Sequence, residues 1–362
     1  MNLQRQVLFW IGAFIVFVLL VWLLSNILLP FVAGMVLAYF LNPLADALEK
    51  RGINRAVAAF LVIAAFILIF IILAIIFFPL LVTQLFGFVQ QVPSYIAALQ
   101  ERILTPENQE WLRRMLGSEP LDVRKSLGNL VGQGAAFAGT FLQGLLSGGA
   151  VLISIFALIA VTPIVTFYLL NDWHRLVNKV DSWVPRRHRD AVRGIAREID
   201  TTLAGFLRGQ ALVTLTLGTY YATALTLVGL NFGLLIGFIV GVLSFIPYIG
   251  STLGLLIAGG IAFAQFWPEW HWVLVVLVIF FSGQFFENYI LQPKLVGDRV
   301  GLHPVWLIFA LFAFAYLLGF VGLLLAVPLA AATGVLTRFA VKQYLASPLY
   351  TGRESRKRER VD

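Results

Sequence analysis

Charged side chains are confined to short intervals along this chain, and long uncharged stretches run between them. From position 209 to 268, 60 residues, there is no Asp, Glu, Lys or Arg. Further uncharged runs cover 6–45, 56–100, 126–171 and 300–337. A soluble domain needs charge at its surface. A bilayer core about 30 Å thick instead takes about 20 apolar residues per helix, and it leaves backbone polar groups no partner but the chain itself. The pattern therefore predicts membrane-spanning helices. The period-two alternation of a membrane β-barrel is missing from 60–81. The predicted fold class is all-α, a polytopic helical membrane protein with possible re-entrant hairpins.

Polar breaks divide these runs into elements. The first run is interrupted at Ser25, Asn26 and Pro30. A basic loop over 42–55 holds Lys50, Arg51 and Arg55 and precedes a clear span over 56–82. Residues 84–129 form the one sizeable polar region, with five Lys/Arg against five Asp/Glu. Its stretches 95–104 and 109–116 have amphipathic helical spacing. A Gly-rich stretch leads into a span over 151–170, and a second polar segment, 171–200, carries seven Lys/Arg. Spans are predicted over 206–230 and 272–291. Interrupted runs lie over 231–266, broken at Pro247, and over 304–339, broken near Gly319 and Gly322. Each interrupted run is either two short crossings or a re-entrant hairpin. The count is then about ten if all cross and about six to eight if some return.

Six segments follow: N-terminal membrane helices (1–83), an extracytoplasmic amphipathic region (84–145), a transmembrane helix (146–172), a basic cytoplasmic segment (173–205), a C-terminal transport core (206–342) and a basic cytoplasmic tail (343–362). Orientation comes from the positive-inside rule, which puts loops 42–55, 171–200, 292–303 and both termini in the cytoplasm. Trp267, Trp270 and Trp272 then form an aromatic anchor at the outer interface.

Composition strengthens this reading. Hydrophobic residues make up 60% of the chain and charged residues 12%, against about 25% charged in ordinary soluble domains. The net charge of +8 collects in loops and in the tail. It points to an anionic lipid surface, not to nucleic acid. With no cysteine, disulfides, thiolate catalysis and Fe–S clusters are excluded. The apolar run after Arg5 lacks a small-residue cleavage site and reads as a retained first helix. No cofactor or metal is expected. GxxxxGK[ST] and HExxH are both missing, and no Ser–His pair lies inside a span, so the chain is not read as an enzyme. Gly297-Asp298 faintly resembles aspartyl intramembrane proteases, but Leu295 replaces their first glycine.

Candidate functional residues concentrate in the C-terminal half. Gly233, Gly237 and Gly241 put three glycines on one helix face, where another backbone can approach closely. Pro247, Tyr248 and Gly250 interrupt an apolar run. Proline removes a backbone donor, and the freed carbonyls need partners. Gln284, Asn288 and Gln292 share a helical face, with Glu287 beside it. An intramembrane carboxylate is costly and marks function by default. Arg208 enters its span from the same side and is a candidate partner for Glu287. The loop after 292 adds Lys294, Asp298, Arg299 and His303 as gate or loop charges.

Taken in order, several stretches resemble the autoinducer-2 exporter family of bacterial membrane proteins, also called PerM-like permeases. They are Phe167-Tyr168-Leu169-Leu170-Asn171-Asp172, Phe206-Leu207-Arg208-Gly209-Gln210, residues 245–250 and 287–293, Gly301-Leu302-His303-Pro304, and GLLLAVPLA over 322–330. Residues 39–51 also look like the family's first cytoplasmic loop. The resemblance spans nearly the whole chain. It implies a bacterial inner-membrane protein of about eight spans that forms a homo-oligomer. The function expected is a secondary transporter exporting a small polar metabolite such as autoinducer-2, with Arg208, Gln210 and the 245–250 and 284–292 groups along the path. A sodium or lithium/proton antiporter is the alternative, and a non-transporting scaffold the third reading.

Overall fold

A computed structural model of the 362-residue chain describes residues 23–103, 149–247, 249–296 and 303–347, with isolated positions elsewhere. Every regular element among the described residues is helical. They are α1 (Ser25–Glu49), α2 (Arg55–Ile103), α3 (Gly149–Trp183), a 3₁₀ turn (Arg186–His188), α4 (Arg189–Leu227), α5 (Gly233–Leu243), α6 (Ile249–Phe266), α7 (Trp270–Phe286), a π-helix (Glu287–Val296) and α8 (Pro304–Ala346). Six stretches are long and apolar enough to cross a membrane: Ile27–Glu49, Arg55–Ala98, Phe156–Trp183, Ile249–Phe266, Trp270–Val296 and Val305–Ala346. The chain is a polytopic helical membrane protein.

Burial is arranged for lipid. Phe78, Ile75 and Phe312 are well over half exposed, while Ala45, Ala58 and Ala59 are fully buried. Large side chains face the hydrocarbon, and small ones let helices approach one another.

Helix α1 passes through Pro30 without the expected break there, and the two later interrupted runs resolve on geometry. Helix α5 has 11 residues, about 16 Å of rise, too short to cross a core of about 30 Å. It therefore enters without traversing, and α6 follows it after the break at 244–248. In α8, Gly319 adopts φ 60° and ψ −139°. Residues eight apart on one straight helix are separated by about 12 Å of axial rise. Here a Cβ on Gly322 would meet the Phe314 carbonyl, so the chain folds back at Gly319. Helix α2 has 49 residues, about 73 Å, and runs past position 83 because 84–100 stay uncharged. Most of 104–148, including the remainder of the polar region, lies outside the described residues.

The chain divides into two compact units. The first comprises Met1–Ile63, Leu158–Gly209 and Leu295–Asp362. Within it, Thr166 and Thr162 of α3 donate to the Gly34 and Pro30 carbonyls of α1 at 3.2 and 3.3 Å. A Cβ on Gly34 would lie 2.8 Å from the Val165 side chain. Helix α8 also packs on α1, and Arg193 of α4 makes a two-pronged bond to Asp181 of α3, both at 2.7 Å. Arg55 begins α2 as a clamp. Its guanidinium donates to Asp46 (2.5 Å), Glu49 (3.0 Å), Asn42 Oδ1 (2.6 Å) and the Leu170 carbonyl (2.9 Å).

The second unit comprises Ala64–Ala157 and Gln210–Lys294. Helix α6 packs on both α5 and α7. The loop before α5 is pinned on several sides. Gln84 of α2 accepts from the Leu235 amide (2.9 Å), Tyr95 from Asn231 Nδ2 (2.8 Å), and Gln265 from the Asn231 amide (2.8 Å). These contacts hold Phe232 at φ 61°, a conformation uncommon for a bulky residue, with its ring 5.6 Å from that of Phe88.

Candidate functional site: a buried polar face in the second unit

The buried stripe of α4 in this unit runs Gln210, Val213, Leu217, Tyr221, Leu225, each at most 1% exposed. The spacing of three to four residues keeps one face inward. Two of its members are polar, and Thr214 lies beside them. Gln210 Nε2 donates to the Ser244 carbonyl at 2.7 Å. That carbonyl sits where α5 ends, so a side chain on α4 satisfies the break. Gln210 Oε1, Thr214 Oγ1 and the Tyr221 hydroxyl are buried and have no hydrogen-bond partner among the described residues. Buried polar atoms are nearly always paired, and these three lie along one helix face.

Helix α5 covers this face closely. A Cβ on Gly237 would run into the Ala222 backbone, one on Gly241 into Gly218, and one on Gly233 would lie 2.8 Å from the Leu225 carbonyl carbon. Gly250 of α6 sits against Ser244, and a Cβ there would be 2.7 Å from the Ser244 hydroxyl. Pro247 lies in the turn between them, and Tyr248 lies outside the described residues. From the other side, Phe280 of α7 stacks on Tyr221 at 4.8 Å, and Gly283 leaves room for the Tyr221 hydroxyl. Tyr220 shares a 2.6 Å hydrogen bond with Ser282.

Where α7 becomes the π-helix, Glu287 turns inward and is 5% exposed. Gln284 Nε2 donates to its carboxylate at 3.1 Å, and Gln292 lies beside the same group. A π-helix brings residues five apart together, which is the 287–292 relation. Asn288 consequently points outward and is exposed. No salt bridge reaches Glu287 among the described residues. An ionised carboxylate with neutral neighbours is expensive in a membrane.

The remaining sequence candidates fall in the first unit. His303 caps α8, its Nδ1 accepting from the Val305 amide at 3.3 Å. Asp298 lies outside the described residues. Arg208 lines a cavity with Tyr39 and Asp200, and partial burial holds the Asp200 pKa above the usual carboxylate value, with the Arg208 charge opposing. Sequence reading passed over Thr214, Tyr221 and Arg55. For the first two, the signal was their spacing of four and eleven residues from Gln210.

Comparison with known proteins decides the family. The model of the AI-2E family transporter matches residues 11–342. The chain belongs to the AI-2E transporter family. Among its relatives, "Putative transport protein YrrI" of Bacillus subtilis (strain 168) is 29% identical over 325 residues, 87% of this chain and 86% of that protein. "Putative transport protein YueF" of the same organism is 26% identical over 323 residues, 89% and 85% of the two chains. "Putative permease PerM" of Escherichia coli (strain K12) is 27% identical over 329 residues, 86% of each.

Proposed function

We propose that this AI-2E family member is a secondary transporter of the bacterial inner membrane, with both termini cytoplasmic, that exports a small polar metabolite or signalling molecule such as autoinducer-2. One observation carries the reading. Glu287 is a buried carboxylate held by neutral amides, in a unit whose α4 face also leaves three buried oxygen atoms unpartnered. Broken helices near the midplane are how secondary transporters build substrate sites, and the α5–α6 break joined to Gln210 is such an element. A hydroxyl-rich solute would pair with Gln210, Thr214 and Tyr221 in turn, while Glu287 takes a hydroxyl or the coupling proton. Gln284 and Gln292 orient the carboxylate. The glycines at 233, 237 and 241 let α5 slide on α4 without side chains to catch.

A second reading, sodium or lithium/proton antiport, is favoured by the chemistry of the orphaned atoms. All three are oxygens, the donors that hard cations select. They extend over 11 residues of helix, about 16 Å, which fits a sequence of stations better than one coordination shell.

Proteoliposomes with an internal pH dye separate the readings. Flux of a furanosyl solute above that of empty liposomes supports export. A pH change that depends on sodium or lithium, without solute flux, supports antiport. Inactivity toward both contradicts the transporter assignment at this face.

A further inference from the structure

The first unit contains a cavity of about 130 Å³. Three helix faces enclose it. Helix α1 contributes Tyr39 and Asn42, α3 contributes Trp173, and α4 contributes Asp200, Ala204 and Arg208. The α4 positions fall at i, i+4 and i+8, one above another on a single face. Ala204 is short, so the space between the two charged side chains stays open.

Most polar groups in the wall are already used. Asn42 donates to Asp46 (3.1 Å) and accepts from Arg55 (2.6 Å). The Tyr39 hydroxyl donates to the Asp200 carboxylate, and the Tyr39 ring meets Trp173 edge-on at 6.1 Å and 86°. Two groups keep capacity. Arg208 has no hydrogen bond or salt bridge among the described residues, and Asp200 retains lone pairs beyond the one Tyr39 takes. The two residues are eight positions apart on α4, no salt bridge joins them among the described residues, and the Arg208 charge is still felt at the Asp200 carboxylate.

The signs of these groups select the occupant. A simple anion would satisfy Arg208 but confront Asp200, and a simple cation would do the reverse. A zwitterion satisfies both, and the Tyr39 and Trp173 rings offer an ammonium further stabilisation. A cavity of about 150 Å³ holds benzene, so this slightly smaller one encloses a group of about six non-hydrogen atoms at most and leaves the end of a longer ligand at its mouth.

We infer that this cavity binds an aminoalkyl phosphate, with the phosphate on Arg208 and the ammonium between Asp200 and the two aromatic rings. Guanidinium matches phosphate geometry with paired donors. The same chemistry has two sources, a free aminoethyl phosphate or the headgroup of phosphatidylethanolamine. The residues that line the cavity all belong to the first unit.

Calorimetric titration of the detergent-purified full chain tests this without a transport assay. O-phosphoethanolamine is compared with inorganic phosphate, with ethanolamine and with alanine. Native mass spectrometry then compares retention of phosphatidylethanolamine with that of phosphatidylglycerol. The expected result is at least tenfold preference for the phosphoethanolamine group in one or both formats. Arg208→Gln reduces this binding at least tenfold, Arg208→Lys keeps part of it, and Asp200→Asn removes the preference over phosphate. Binding of the soluble compound alone assigns the site to a metabolite, and retention of the lipid assigns it to a headgroup. Equal affinity for the two halves of the ligand, no binding in either format, or unchanged binding in both charge variants overturns the inference. Thermal unfolding of each variant shows whether it is folded, and the lysine variant keeps the test decisive if Arg208→Gln is not.

Discussion

Two polar assemblies in this chain are buried on opposite terms. The Arg55 side chain, 11% exposed, commits its guanidinium to two carboxylates, an amide oxygen and the Leu170 carbonyl. Glu287, 5% exposed, is held by the amides of Gln284 and Gln292, and no cation pairs with it among the described residues. The first arrangement is a joint. Opposite charges meet and nothing is left over to act on a solute. The second leaves a carboxylate whose charge is not answered, one helix face away from oxygens that are themselves unanswered. Burial alone therefore does not mark a working residue. What the neighbours leave unsatisfied does.

Mutations can break that contrast, beginning with the largest effect. Glu287→Gln is expected to reduce liposome flux to the level of empty liposomes. Its thermal midpoint should hold or rise, because a buried uncompensated charge is removed. Arg55→Ala should do the reverse. It leaves the Leu170 carbonyl and Asn42 without their donor, while Asp46 and Glu49 are partly solvated, and costs about 1–3 kcal/mol, read as a lowered unfolding midpoint in detergent. Flux per folded molecule should be kept.

Smaller effects sharpen the picture within the second unit. Gly237→Val forces a side chain into the Ala222 backbone and should cost at least about 1–3 kcal/mol by overpacking, with a loss of monodispersity on gel filtration. Tyr221→Phe removes an unpartnered hydroxyl, so stability should change by no more than about 1 kcal/mol while flux falls severalfold. Asn288→Ala, on the exposed side, should stay within about 0.5 kcal/mol of the parent and transport normally. Strong loss of flux in Asn288→Ala with none in Tyr221→Phe would invert the assignment of the inner and outer faces.

Much of this architecture is legible from the chain alone, for physical reasons. Uncharged runs of that length have only one solvent, so the helical membrane class follows. Pro247 and Gly319 end helices through local backbone chemistry, and both breaks can be placed by reading. The four-residue glycine spacing is likewise local. Other features depend on tertiary context. A 3.6-residue wheel groups Asn288 with Gln284, but the π-helix rotates Glu287 in and Asn288 out. Gln210 looks like any amide until the Ser244 carbonyl is found opposite it. Arg55 reads as one more positive loop charge, yet its four partners come from α1 and from Leu170 of α3, 115 residues later. The Arg208 cavity needs three helices at once, which no local pattern encodes.

The most direct measurement is paired. Wild type, Glu287→Gln and Arg55→Ala are reconstituted from one preparation scheme, and thermal stability and solute or cation flux are recorded for each. The account predicts that Glu287→Gln is as stable as wild type and inactive, while Arg55→Ala is unstable but active per folded molecule. Wild-type flux through Glu287→Gln would contradict it.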